Sequence, residues 1–151
     1  MSRAPRIGAI VGCVAPSGRV LLVKQRGGPF AGAWVLPGGR AEGGESVEAA
    51  ARRELLEETG YATSSLVLVA RYDVRAVDET FAIDLHMFRG GELAGSPRAE
   101  DASDVRWVRA DEIELHPVVA VELADLGVIA RDPAVLSRAL RDARVAMRRV
   151  F

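Results

Sequence analysis

Glu54, Glu57 and Glu58 stand at spacings i, i+3 and i+4 near the end of the run 46–59. If that run is helical, a rotation of about 100° per residue brings the three carboxylates onto one face, within an arc of roughly 100°. The run stops at Gly60, so the acids fall in the last turn, where the helix dipole disfavours each of them by about 0.3–1 kcal/mol. Helix-forming preference does not put three acids there. A divalent cation would relieve both the dipole and the mutual repulsion, and clustered hard oxygens with room for water suit Mg²⁺. The plain alternative is a solvated acidic face in which Arg53 and Glu57 form an i, i+4 pair. The neighbouring residues favour the metal. Gly38 and Gly39 let backbone carbonyls approach an ion, and Gly43 and Gly44 let the loop fold back over the helix. Arg53 is placed to tie down Glu45 across that loop and so fix the shape of the site.

Several elements must hold this helix in place. Ser46 is a cap for its start, Glu48 suits the first turn, and Gly60 suits the left-handed position just past its end. Residues 7–14 and 20–25 read as two strands joined by the turn Pro16-Ser17-Gly18. A short apolar piece, 33–36, is stopped by Pro37-Gly38-Gly39, and 40–45 is a polar glycine-rich loop. Residues 66–72 and 81–88 read as strands, the second with Phe81, Ile83, Leu85 and Met87 alternating on one face; 105–108 is a further short strand. Two later segments, 111–126 and 133–150, have helical character. The last has Asp132 as its cap, Pro133 in its first turn, a stripe of Leu136, Leu140, Ala143, Met147 and Val150, and Arg138, Arg141, Arg144 and Arg148 on the other side. That stripe would pack on the domain or on a second subunit, giving a homodimer; a membrane-surface role is the lesser reading. Strands, one central helix, more strands and terminal helices predict an α/β layer structure with a mixed sheet.

Composition narrows the function. A chain of 151 residues, 49% hydrophobic and without repeats or linkers, predicts one domain over 1–151. Twenty basic against 21 acidic residues leave a formal charge of −1, so no global field exists to hold a nucleic-acid polymer, and an anionic substrate must be met locally. Cys13 is the only cysteine, which excludes an intrachain disulfide and a multi-cysteine zinc cluster, and a small buried hydrophobe is its expected role. No apolar run approaches the roughly 20 residues of a membrane span, and residues 1–10 lack a signal-peptide core, so a soluble cytoplasmic protein is expected.

Residues 39–61 read GRAEGGESVEAAARRELLEETGY. They resemble the Nudix box G-x5-E-x7-R-E-U-x-E-E-x-G-U, where U is a bulky aliphatic residue. Gly39, Glu45, Arg53, Glu54, Leu55, Glu57, Glu58 and Gly60 all fall in register. Only Tyr61 departs, aromatic where the pattern is aliphatic, at a position that resembles a packing contact. The likeness extends to Val20-Leu21-Leu22-Val23, to the segment Gly32-Ala33-Trp34-Val35-Leu36-Pro37-Gly38 before the box, and to Arg106-Trp107-Val108 followed by Asp111-Glu112 after it. The resemblance implies an α/β/α sandwich and hydrolysis of a diphosphate linkage in a nucleoside diphosphate derivative, with Mg²⁺ or Mn²⁺ required. It assigns the metal to Glu54, Glu57, Glu58 and the Gly39 carbonyl.

In such chemistry bound metal clamps phosphate oxygens and acidifies a water, and a carboxylate takes the proton. One of the helix glutamates is a candidate base. Glu100, in the polar loop before Trp107, resembles the extra acid some members contribute; Asp101 and Asp104 are near enough to substitute, and a plain surface role is the alternative. Arg26, just after a strand and before Gly27-Gly28, is placed to reach substrate phosphate, with a surface arginine as the equal alternative. His86 reads as structural. Trp34 and Trp107 are candidates for stacking on a base or for core packing. The proline that marks the ADP-ribose subgroup is missing between Pro37 and Pro97, and the tyrosine of the dinucleoside-polyphosphate pattern is not near Asp78 or Glu79. A nucleoside triphosphate pyrophosphohydrolase of the MutT type remains by elimination. The competing readings are a non-catalytic ligand-sensing Nudix domain and an isopentenyl diphosphate isomerase-like enzyme, which would need a catalytic cysteine.

Overall fold

The computed structural model describes residues 4–96 and 104–151. The first strand, β1 (Arg6–Gly12), is an inner strand of a five-stranded sheet, with β7 (Ala82–Gly90) parallel on one side and β4 (Gly38–Arg40) antiparallel on the other. Beyond β7 lie β6 (Leu66–Ala76) and β10 (Val145–Arg149), each antiparallel to its neighbour. A smaller sheet places β2 (Val20–Lys24) between β3 (Trp34–Val35) and β9 (Val105–Val108), and β5 (Tyr61–Thr63) pairs with β8 (Leu93–Gly95). Three helices complete the described chain: α1 (Val47–Thr59), α2 (Pro117–Asp125) and α3 (Pro133–Asp142).

β2 explains how the layers stack. Its four residues Val20 to Val23 are all nearly inaccessible, yet they serve two different cores. Leu21 and Val23 join Ala9, Val11, Ala50, Ala51, Leu55 and Phe88 under α1. Val20 and Leu22 join Leu36, Tyr72, Val74, Met87, Val119 and Leu123 under α2. A strand apolar on both faces is one covered on both sides, so α1 and α2 lie on opposite sides of β2. In the mixed sheet β1 and β7 divide the same way, Ala9, Val11 and Phe88 toward α1 and Ile10 and Met87 toward α2, as an α/β/α sandwich requires.

Local chemistry agrees with the sequence at several ends. Ser46 accepts from the Ala49 N–H at 3.1 Å, and Gly60 takes a left-handed φ of 82° while its N–H bonds the Leu56 carbonyl at 2.9 Å. Asp132 caps α3 by accepting from Val135 N–H at 3.2 Å.

Two helical readings need correction. The segment 111–126 is not one helix: a single 3-10 turn, Ala110–Glu112, is followed by a break, and α2 starts only at Pro117, whose ring and missing N–H are tolerated in a first turn but not inside a helix. The segment 133–150 turns at Arg144, with φ 57°, and its last part is the strand β10 rather than more helix. The edge of β6 offers unpaired backbone groups, and pairing Met147 with Val74 and Arg149 with Tyr72 satisfies them, which outweighs a helical spacing of apolar residues. Leu140 and Met147 still pack on the core beneath α2. The strand 66–72 also runs further than its apolar pattern, to Ala76, because both its edges are paired.

Candidate active site

β4 is an edge strand pressed between β1 and α1, and its two glycines are there for want of space. A Cβ on Gly38 would lie 2.2 Å from the Ala9 carbonyl oxygen, and one on Gly39 would lie 2.5 Å from the carboxyl carbon of Glu54. Glycine alone lets the backbone come this close to the acidic flank of α1. The Gly38 N–H donates to Glu58 Oε1 at 3.1 Å.

Arg53 organises the rest. Its Nε and Nη2 donate to the two oxygens of Glu45 at 2.8 and 3.0 Å, a bidentate clasp across the loop, and Nη2 also reaches the Arg40 carbonyl at 3.1 Å. Its Nη1 donates to Glu54 at 2.9 Å and to Glu57 at 3.2 Å. The expected tether from Arg53 to Glu45 and the ordinary i, i+4 pair with Glu57 therefore coexist. The hydrogen bonds from Arg53 hold the Glu45 carboxyl below the usual carboxylate range, and those acids in turn raise the arginine. Glu58 is shifted the other way: burial, its contact with Glu54 and the negative charge of Glu57 push its carboxyl up.

Glu54, Glu57, Glu58, Gly38 and Gly39 line one open cavity of about 450 Å³ together with Lys24, Gln25, Arg26 and Asp104. The three glutamates share this cavity but do not aim at a common point; among the described residues no group of three or more acidic, histidine or cysteine side chains is arranged to hold a metal ion. Like charges at i, i+3 and i+4 turn to the cations and N–H groups at hand, here Arg53 and Gly38. The donor set nonetheless fits a hard divalent cation. All the side-chain donors are carboxylate oxygens, and Gly39 leaves room for a backbone approach.

Pairing of β2 with β9, Val23 opposite Val105, sets Arg26 and Asp104 side by side at the rim. Arg26 Nε donates to Asp104 Oδ2 at 2.8 Å, so the arginine expected to reach substrate is engaged by an acid in this structure. Glu100 and Asp101 lie outside the described residues. Tyr61 packs edge-on against Trp107, centroids 6.1 Å apart, and accepts a 3.3 Å hydrogen bond from the indole, the packing role its position suggested. Trp34 lies under the Arg106 guanidinium, 5.2 Å from its ring centre, and His86 pairs with Asp84 at 3.3 Å. Cys13 is 2% exposed and burial pushes its thiol up to about 12, so it is no nucleophile.

A second cavity, about 270 Å³, adjoins the first, sharing Gln25, Gly38 and Gly39 with it. Its lining is mainly apolar, including Ile10, Phe30, Leu36, Leu85 and Val119, with His116 and Glu122. The Phe30 ring stands edge-on to His116 at 4.9 Å and to Phe81 at 5.5 Å. His116 caps α2, its Nδ1 accepting from Val118 N–H at 3.1 Å, and burial holds it below the usual histidine range. The sequence reading missed this cavity, because its walls come from separate stretches of chain that only the fold brings together. One trace was legible: Glu122 is the lone acid within the apolar run 117–124.

A helix whose acids flank a glycine-gated strand, clasped by an arginine and set in an α/β/α sandwich, defines a class of enzyme for phosphate anhydrides rather than a binding module of unspecified kind. Residues 4–126 match the NUDIX domain model, and the chain belongs to that family. It is similar to an oxidized purine nucleoside triphosphate hydrolase of Danio rerio, 38% identical over 73% of this chain and 70% of the relative. It is also similar to a putative 8-oxo-dGTP diphosphatase 2 of Mycobacterium tuberculosis, 42% identical over 82% of each chain. The crystal structure of a MutT NUDIX hydrolase from Burkholderia pseudomallei superposes with a TM-score of 0.72 at 27% identity, covering 82% of this chain and 99% of that one. The protein is a Nudix hydrolase.

Proposed function

We propose that this chain is a nucleoside triphosphate pyrophosphohydrolase that works with Mg²⁺, or Mn²⁺ in its place. The observation that carries this reading is the pair of adjoining cavities. One is lined by acids and glycines, the other by apolar side chains, and Gly38 and Gly39 form their common wall. A nucleotide has the same division, a polyanion joined to a planar heterocycle, and a cavity of this size admits the heterocycle but not the whole molecule. The names of the relatives above agree with such a substrate.

Glu54, Glu57, Glu58 and the Gly39 carbonyl would hold the cation, which supplies charge neutralisation at the phosphates and acidification of a water. Arg53 keeps Glu54 and Glu57 oriented and holds the loop through Glu45 against the helix. Arg26, if released by Asp104, can transfer its guanidinium to a phosphate oxygen. The proton acceptor is one of the helix glutamates or Glu100. The isomerase reading fails on Cys13, and the whole chain acts as one domain in which β10 completes the sheet.

The test is a panel of canonical and oxidised nucleoside triphosphates with Mg²⁺, scored for the phosphate products. Pyrophosphate with a nucleoside monophosphate is the expected outcome. ADP-ribose belongs in the panel as a contrast, since a Methanocaldococcus jannaschii relative named ADP-ribose pyrophosphatase is 36% identical over 62% of this chain. Turnover of ADP-ribose alone would overturn the proposal.

A further inference from the structure

Glu122 is an acid that the fold does not require. It lies on the inward face of α2 with Val118, Val119 and Leu123, is 3% exposed, and lines the apolar cavity. Among the described residues its carboxyl makes no hydrogen bond and no ion pair, although burying a carboxyl without a partner is destabilising. A leucine or methionine would pack there without a buried polar group and favour the helix as well. The other ionisable groups around the cavity do not compensate it. Burial lowers the His116 imidazole and its Nδ1 is spent on the helix cap; Tyr72, which feels the charge of Glu122, bears no positive charge, and Arg6 and Arg40 are exposed and form no ion pair with it. With no positive charge beside it, burial pushes the Glu122 carboxyl up to about 8. A neutral carboxyl carries one O–H donor and one carbonyl acceptor on adjacent atoms.

We propose that Glu122 is a substrate-specificity residue that binds the heterocycle in the apolar cavity, pairing the two atoms of its carboxyl with an N–H and a neighbouring acceptor on the base edge. This rests on the nucleotide reading of the site. The ligand supplies the missing partners, and the aromatic wall of Phe30 and His116 restricts the cavity to a flat ring. Oxo- and amino-substituted bases all present such a donor beside an acceptor, so Glu122 binds the edge of a heterocyclic base rather than one base alone.

Three proteins test the proposal: wild type, Glu122→Met and Glu122→Gln, each first checked for folding by thermal denaturation. With a triphosphate that the wild type cleaves, Glu122→Met should raise KM about ten- to a hundredfold and leave kcat within a few-fold. Ribose 5-triphosphate, which has no base, should be cleaved equally by both. Glu122→Gln keeps a donor and an acceptor and should stay within about threefold of wild type in KM. An unchanged KM in Glu122→Met, or an equal rise for the base-free substrate, would overturn the proposal. If the wild type cleaves no triphosphate, the nucleotide hydrolase reading fails separately. Calorimetric titration with guanosine, adenosine and 8-oxoguanosine monophosphates then decides the role of Glu122: binding lost in Glu122→Met supports it, whereas equal binding or none to wild type rejects it.

Discussion

Glu58 sits between two opposing influences, an N–H from Gly38 that favours its charge and a half-buried place beside Glu54 that does not. Substituting glutamine removes a proposed negative metal ligand without removing bulk. Glu57→Gln and Glu58→Gln should each lower kcat by roughly a hundredfold or more, while the melting temperature of Glu58→Gln holds or rises. Wild-type turnover in either at saturating Mg²⁺ would take α1 out of the chemistry. Glu122 gives a pH prediction of definite sign. Its folded value, about 8, lies above the ordinary glutamate value of 4.5, so the folded state holds the extra proton between them. The stability it contributes is complete below about 4.5 and is lost as pH rises through 8, at up to about 1.4 kcal/mol per pH unit. Glu122→Gln should flatten that slope and be more stable than wild type at pH 9, as followed by urea denaturation across pH. Equal slopes in the two proteins would mean that the carboxyl is ionised throughout.

At the scale of elements, the site depends on how closely β4 approaches α1. Gly39→Ala would drive a methyl to 2.5 Å from the Glu54 carboxyl, so activity should fall at least about tenfold through displacement of Glu54, with a smaller loss of stability. Parallel kinetics and melts separate the two effects. β10 is the other telling element. It covers the edge of β6, and its Arg149 joins Arg131 in pairing the buried Asp125, which also accepts from Tyr72 Oη at 2.5 Å. Deleting residues 143–151 would uncover a strand edge and remove one of Asp125's two cationic partners. The truncated protein should melt well below wild type and self-associate, as seen by scattering.

For the molecule as a whole, the two-cavity arrangement ties folding to ligand binding. A divalent cation bound by α1 and β4 stabilises only the folded state, so Mg²⁺ should raise the melting temperature of wild type and not that of Glu58→Gln. Excess EDTA should abolish hydrolysis, Mg²⁺ or Mn²⁺ should restore it, and zinc should not be needed, because every side-chain donor is a hard oxygen. Full activity after exhaustive chelation would refute the proposed metal role. Among the described residues no helix is long and apolar enough to cross a membrane.

The acidic helix, its caps and its arginine clasp were legible in the sequence because they are local: Ser46, Glu45, Arg53 and Gly60 lie within a few turns of Glu54, and helical geometry relates them directly. Other features depended on distant segments meeting. The helical spacing of Leu136, Leu140, Ala143 and Met147 reads the same whether or not a strand edge waits nearby, so only β6 decided that the chain turns at Arg144. Asp104, in the sequence only a substitute for Glu100, met Arg26 when β9 paired with β2, and Glu122 acquired a cavity only when α2 closed over β1 and β7. Spacing along a helix encodes which side chains share its face, whereas a cavity is bounded by elements from separate stretches of chain, and their meeting is settled by packing.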